Sequence, residues 1–213
     1  MIGGLTHGDV SLGCYTRLRD HIRCWEDLRD APVAEIHELI RSVEIPEKKA
    51  PRLKAALQFV SASQGSLSLD FLGEMPADAA IIRLEKLDGI GRKTSAAVLK
   101  FSTLRKAVLL VDTHLLRVAA RLGLISRKAS IEKAYDTLMP LLPGQWEADD
   151  MDNHHQLIKL HGQTLCRPAV PKCGCCPVRE VCSCFRSARR SRSGSRPIQS
   201  DRPVAPLRHP RLA

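Results

Sequence analysis

An all-α fold is predicted by three features of this 213-residue sequence. Apolar residues recur at helical spacing through most of residues 15–163, turn signals separate the short amphipathic stretches, and convincing apolar/polar alternation is missing, AVLLV at 107–111 being the one strand candidate. A hydrophobic content of 44% suffices to bury a core without a partner.

The elements follow in order. RLKAALQFVSA (52–62) sets Leu53, Leu57 and Val60 along one face, which predicts a helix preceded by a proline-bounded connection, PEKKAP (46–51). Further helices fit residues 77–87, 92–102, 112–124, 130–142 and 149–163, and Asp112 and Ser130 stand where N-caps are wanted. PAVPKCGCCP (168–177) holds too much proline and cysteine for a helix, and the basic stretch from 186 to 213 is low in apolar residues, so disorder is expected there. These readings divide the chain into a helical domain (1–107), a second helical domain with a cysteine loop (108–185) and an arginine-rich tail (186–213).

Charge narrows the partners. The formal charge of +10 points to a polyanion, yet eight arginines against Asp201 put +7 of it in the tail and leave +3 for residues 1–185. A binding site in the folded part must therefore come from local geometry. No run of about 18 apolar residues is present, and MIGGLTHGDV lacks the basic and apolar segments of a secretory signal, which implies a soluble intracellular protein. Aromatic residues make up only 4%, too few for a single-strand stacking platform.

LDGIGRKTSAAVL (87–99) joins two predicted helices through Gly89-Ile90-Gly91. Glycines there permit backbone angles closed to other residues, and the unpaired amides at the start of the next helix, with its dipole, form a receptor for a phosphate oxygen. Gly89, Ile90, Gly91, Arg92 and Thr94 are the candidate contacts to such a phosphate, and Lys93 sits just behind the turn. A tight connection between helices is the bland alternative.

Six cysteines crowd between Cys166 and Cys184, and in a reducing compartment such crowding suggests metal more than disulfides. Cys166, Cys173, Cys176 and Cys182 have six, two and five residues between them, a spacing that general rules for zinc or ferredoxin loops do not resolve. Cys175 and Cys184 are extra thiols that compete as ligands.

Three motifs in the same order, LDGIGRKTSAAVL, VDTHLLRVAARLGL from Val111, and HGQTLC with the cysteine cluster, resemble the endonuclease III family of helix-hairpin-helix DNA glycosylases across about residues 50–185. The resemblance implies a helical barrel domain plus an iron–sulfur domain, a [4Fe-4S] cluster on Cys166, Cys173, Cys176 and Cys182, and a monomer acting on double-stranded DNA in the cytoplasm at the nucleoid. It implies Lys93 as the nucleophile at C1′ of a damaged nucleoside and Asp112 as the supporting carboxylate. An amine forms an iminium linkage through which the strand is cut by β-elimination; a hydroxyl cannot. The expected activity is removal of oxidised pyrimidines followed by cleavage 3′ to the abasic site.

Two alternatives stand beside it: an adenine-mismatch or other-specificity glycosylase, and a non-catalytic iron–sulfur protein that binds DNA or senses redox state. The chain also departs from the family. The family's glutamine-bearing LSAQATD-like segment, which helps fill the gap left by the extruded base, is matched only by the aspartate of MIGGLTHGD, leaving Leu5, Thr6 and His7 as substitutes. The interval from Lys93 to Asp112 is one residue longer than the family's, which a loop at STLRK (102–106) absorbs.

Overall fold

The structure is a computed structural model that describes residues 1–193, and among these residues it contains ten α-helices and no β-strand. The helices are α1 (Gly8–His21), α2 (Trp25–Asp30), α3 (Val33–Leu39), α4 (Pro46–Gln64), α5 (Ala77–Glu85), α6 (Arg92–Phe101), α7 (Thr113–Leu122), α8 (Ile131–Leu138), α9 (Ala148–Thr164) and α10 (Ser183–Ser193). None of them is long and apolar enough to cross a membrane.

Two apolar clusters organise these helices. Cys14 and Leu18 of α1, Leu28 of α2 and Ile36, Leu39 and Ile40 around α3 close on Ala50 of α4. The second cluster runs from Leu72 through α5, α6 and α7 to Leu138. Helix α4 lies between the two, with Leu53 and Leu57 packed on the first and Ala56 on the second. Leu99 and Val108 belong to one core, so the second cluster crosses the expected division between 107 and 108. Each large aliphatic side chain buried in these clusters is worth about 1.5–3 kcal/mol against exposure.

Three expectations are corrected. PEKKAP is helical: Pro46 occupies the first turn of α4, where its missing N–H costs nothing, and buried Ala50 anchors the turn while Pro51 is carried inside the helix. AVLLV forms no strand; Val108, Leu109, Leu110 and Val111 thread through the second core without regular structure, which is why a continuous apolar run reads like a buried strand. Disorder does not begin at residue 186, because α10 extends to Ser193, tied to α7 by Ser183 Oγ donating to the Leu122 carbonyl at 2.8 Å. The rest of the arginine-rich stretch, 194–213, lies outside the described residues.

Candidate DNA-binding active site

The connection from α5 to α6 is built by its own short hydrogen bonds: Leu87 N–H donates to the Leu84 carbonyl at 3.1 Å and Ile90 N–H to the Leu87 carbonyl at 3.0 Å. Leu87 and Ile90 point into the second core, so Ile90 is an anchor of the turn. The two glycines differ. Gly89 has φ +78°, and a Cβ there would meet Arg52 Cδ at 2.8 Å. Gly91 has φ −101° and ψ −179°, ordinary extended backbone, with open space where a Cβ would stand. The expectation of special angles at both positions therefore holds for Gly89 alone; Gly91 leaves room for something outside the chain to approach.

Helix α6 starts without a side-chain cap. The Gly91 carbonyl accepts from the Thr94 and Ser95 amides at 2.9 and 3.0 Å, which uses the Thr94 amide internally and leaves those of Arg92 and Lys93 at the helix start. Lys93, the second residue of α6, is exposed. Arg92 is not a free phosphate ligand: Nε donates to Glu85 Oε1 at 2.7 Å, Nη1 to Asp136 Oδ1 at 3.2 Å, and the guanidinium lies 4.9 Å from the Tyr135 ring centroid. It braces α5, α6 and α8, and its charge is matched by those carboxylates.

Asp112 precedes α7 in the same extended geometry, φ −110° and ψ −179°, but caps its own helix: Oδ1 accepts from the Leu115 amide at 2.8 Å. Among the described residues no hydrogen bond or ion pair joins Lys93 to Asp112. The charge of Asp112 is felt by His155 of α9, whose imidazole is nevertheless held below its ordinary value, first by burial and then by Lys100. His114 is packed and hydrogen-bonded, its Nδ1 3.1 Å from Arg117 Nη2.

The sequence reading missed Lys100. It is fully buried, donates to the Met151 carbonyl at 2.7 Å and approaches Asp152 Oδ1 at 3.7 Å. Burial lowers its affinity for a proton, and its charge in turn depresses His154 and His155. The signal was present in the helical phase, since position 100 follows Ser95, Ala96 and Leu99 on the buried face of α6.

At the other end of α7, Cys166, Cys173, Cys176 and Cys182 line one cavity, joined by Cys184. Cys175 stands apart, exposed, with Sγ 3.5 Å from the Lys172 carbonyl. Arg121 holds the loop by donating to Cys166 Sγ at 3.3 Å and to the Arg167 and Pro168 carbonyls at 2.6 and 2.7 Å. Burial raises the Cys173 thiol, and the surrounding thiols Cys176, Cys182, Cys166 and Cys184 add to the effect. Among the described residues no three such side chains converge tightly enough to hold one metal ion. The thiols that line this cavity are the donor type used by thiolate-bound metal centres.

An all-α fold in which a glycine turn joins two helices, with an open helix start beside it, defines the helix-hairpin-helix class. Residues 7–143 match the model of the HhH-GPD superfamily base excision DNA repair protein, and the chain belongs to that family. It is 32% identical to endonuclease III of Bacillus subtilis over 158 residues, 74% of this chain and 65% of the relative. It is 29% identical to the Arabidopsis thaliana DNA glycosylase/AP lyase ROS1 over 77% of this chain, which spans only 13% of that protein. Among solved structures, a non-covalent endonuclease III–DNA complex superposes with a TM-score of 0.67 at 26% identity, covering 89% of this chain and 82% of the other. A trapped endonuclease III–DNA covalent intermediate gives 0.68 at 25% identity, covering 88% of this chain and 82% of the other.

Proposed function

We propose that this protein is a bifunctional DNA glycosylase and AP lyase that removes oxidised pyrimidines from duplex DNA and cuts 3′ to the resulting abasic site. The observation that carries the reading is an exposed lysine in the first turn of an uncapped helix, two residues past Gly91, in a chain of the HhH-GPD family. One phosphate of the duplex takes the Arg92 and Lys93 amides, with Gly91 giving it room. Phosphate contacts position the protein and do not select the lesion.

In the reaction, uncharged Lys93 Nζ forms a bond to C1′ as the N-glycosidic bond breaks, and the base leaves with that electron pair and takes up a proton. The ring opens to an iminium between Nζ and C1′. Loss of a proton from C2′ then expels the 3′ phosphate by β-elimination, and water releases Lys93. Asp112 stabilises the positive charge that develops on the sugar and exchanges protons with it. The similarity to a DNA glycosylase/AP lyase and to an endonuclease III trapped as a covalent intermediate with DNA supports this chemistry.

Cys166, Cys173, Cys176 and Cys182 are the residues that would hold a [4Fe-4S] cluster, which when bound ties the 166–182 loop together and takes no part in breaking the glycosidic bond. Arg121 would orient the Cys166 thiolate. Exposed Arg167 and Lys172 on this loop offer further contacts to DNA backbone.

A panel of duplexes carrying an oxidised pyrimidine, uracil, or adenine opposite 8-oxoguanine tests the reading under single-turnover conditions. Base release and 3′ incision confined to the oxidised pyrimidines are expected. Release of adenine alone, without incision, would replace the proposed activity by the mismatch one.

A further inference from the structure

Six cysteines fall between residues 166 and 184, whereas an iron–sulfur cluster takes four thiolates. The structure separates the surplus pair. Cys175 is exposed, its Sγ donating to the Lys172 carbonyl at 3.5 Å, and lies outside the cavity that Cys166, Cys173, Cys176 and Cys182 line. Cys184 is partly buried on that same lining, and its charge acts on the Cys173 thiol together with those of the other three.

Cys182 and Cys184 are presented as a pair. Ser183 between them is pinned to the end of α7: its Oγ donates to the Leu122 carbonyl at 2.8 Å, and the fit is so close that a Cβ on Gly123 would meet that oxygen at 2.5 Å. With the middle residue fixed, the thiols on either side both reach the cavity, Cys182 from just before α10 and Cys184 from its first turn. Their polar partners differ. Cys182 Sγ donates to the Arg121 carbonyl at 3.2 Å, while Cys184 Sγ accepts from Arg127 Nη2 at 3.7 Å. A guanidinium facing sulfur suits a ligating thiol, which carries negative charge, better than a cysteine that only fills space. His161, also on the lining, stands with Cys176, its Nε2 3.9 Å from that sulfur.

We infer, resting on the cluster reading above, that Cys184 is a reserve ligand of this cavity and replaces Cys182 when that thiol is lost. One iron corner takes one thiolate, and the sulfur two residues along offers the same soft donor from the same pinned turn. Spacing alone does not make a reserve. Cys173 also has a cysteine two residues on, but Cys175 lies outside the cavity.

The full chain, purified without air, is assayed for iron and acid-labile sulfide. Cys182→Ser should hold both within about twofold of wild type, whereas Cys166→Ser, Cys173→Ser and the double variant Cys182→Ser, Cys184→Ala should each fall to about a tenth or less. Cys184→Ala alone should match wild type. In the native protein, the rate at which iodoacetamide alkylates Cys184, read by peptide mass, should drop about tenfold from wild type to Cys182→Ser as that thiol becomes a ligand. Iron loss in Cys182→Ser as complete as in Cys166→Ser, iron loss in Cys184→Ala alone, equal retention in Cys182→Ser and the double variant, or an unchanged alkylation rate would overturn the reserve ligand while the cluster reading stands. A wild type without iron and sulfide overturns both and leaves base excision to be judged by the duplex panel.

Discussion

Helices α6 and α7 begin with almost the same backbone geometry and end up with opposite chemistry. Gly91 and Asp112 both enter their helices extended, at φ −101° and −110° with ψ near 180° in each. Glycine cannot satisfy the amides that follow, so α6 begins uncapped, with Lys93 exposed beside them. Aspartate satisfies the Leu115 amide itself, so α7 needs no outside partner and shows a carboxylate instead. One side chain at the N-cap decides whether a helix start binds a ligand or serves as a fixed negative charge.

The comparison predicts a ranked set of effects. Asp112→Asn should preserve the cap, because the amide oxygen still accepts from Leu115, while single-turnover base removal falls about 10²–10⁴-fold. A parallel loss of melting temperature would show that the carboxylate matters only as a cap.

Next comes the tie between α6 and α9. Lys100→Ala removes the donor to the Met151 carbonyl, leaves Asp152 without its cation and opens a void, at a cost of about 2–4 kcal/mol by urea unfolding. Lys100→Met keeps the volume and should lose less.

The two hairpin glycines should separate in opposite directions. Gly89→Ala forces left-handed backbone on a residue with a Cβ and presses it on Arg52, a loss of about 1–2 kcal/mol of stability. Gly91→Ala should leave stability within about 0.5 kcal/mol but weaken duplex binding, since its methyl group stands where the phosphate approaches.

The smallest effect is a pH dependence. The folded values of His154 and His155 lie below 6.5, so around that pH the unfolded chain binds protons that the native state refuses. Stability should fall as the pH drops through 6.5, and the fall should be shallower in His155→Gln.

What was legible in the sequence was local. Five amphipathic helices, α5 to α9, and the caps at Asp112 and Ser130 follow from periodicity and side-chain chemistry, and the structure places them within a few residues of expectation. The misses share one cause, in that tertiary contacts outweighed local preference. Packing of Ala50 carries α4 through PEKKAP, and residues 108–111 are buried without regular structure or a partner strand. The candidate site was half legible. The strained turn at Gly89 and the cap at Asp112 follow from residue type, whereas the burial of Lys100 depends on a carbonyl from a segment remote in sequence.

Borohydride trapping on abasic duplex tests the central claim most directly, because it would capture the proposed bond between Lys93 Nζ and C1′. The account predicts a covalent protein–DNA adduct for the wild type that disappears in Lys93→Ala while duplex binding survives. An adduct of undiminished yield in Lys93→Ala, or none in a wild type that binds the same duplex, would contradict it.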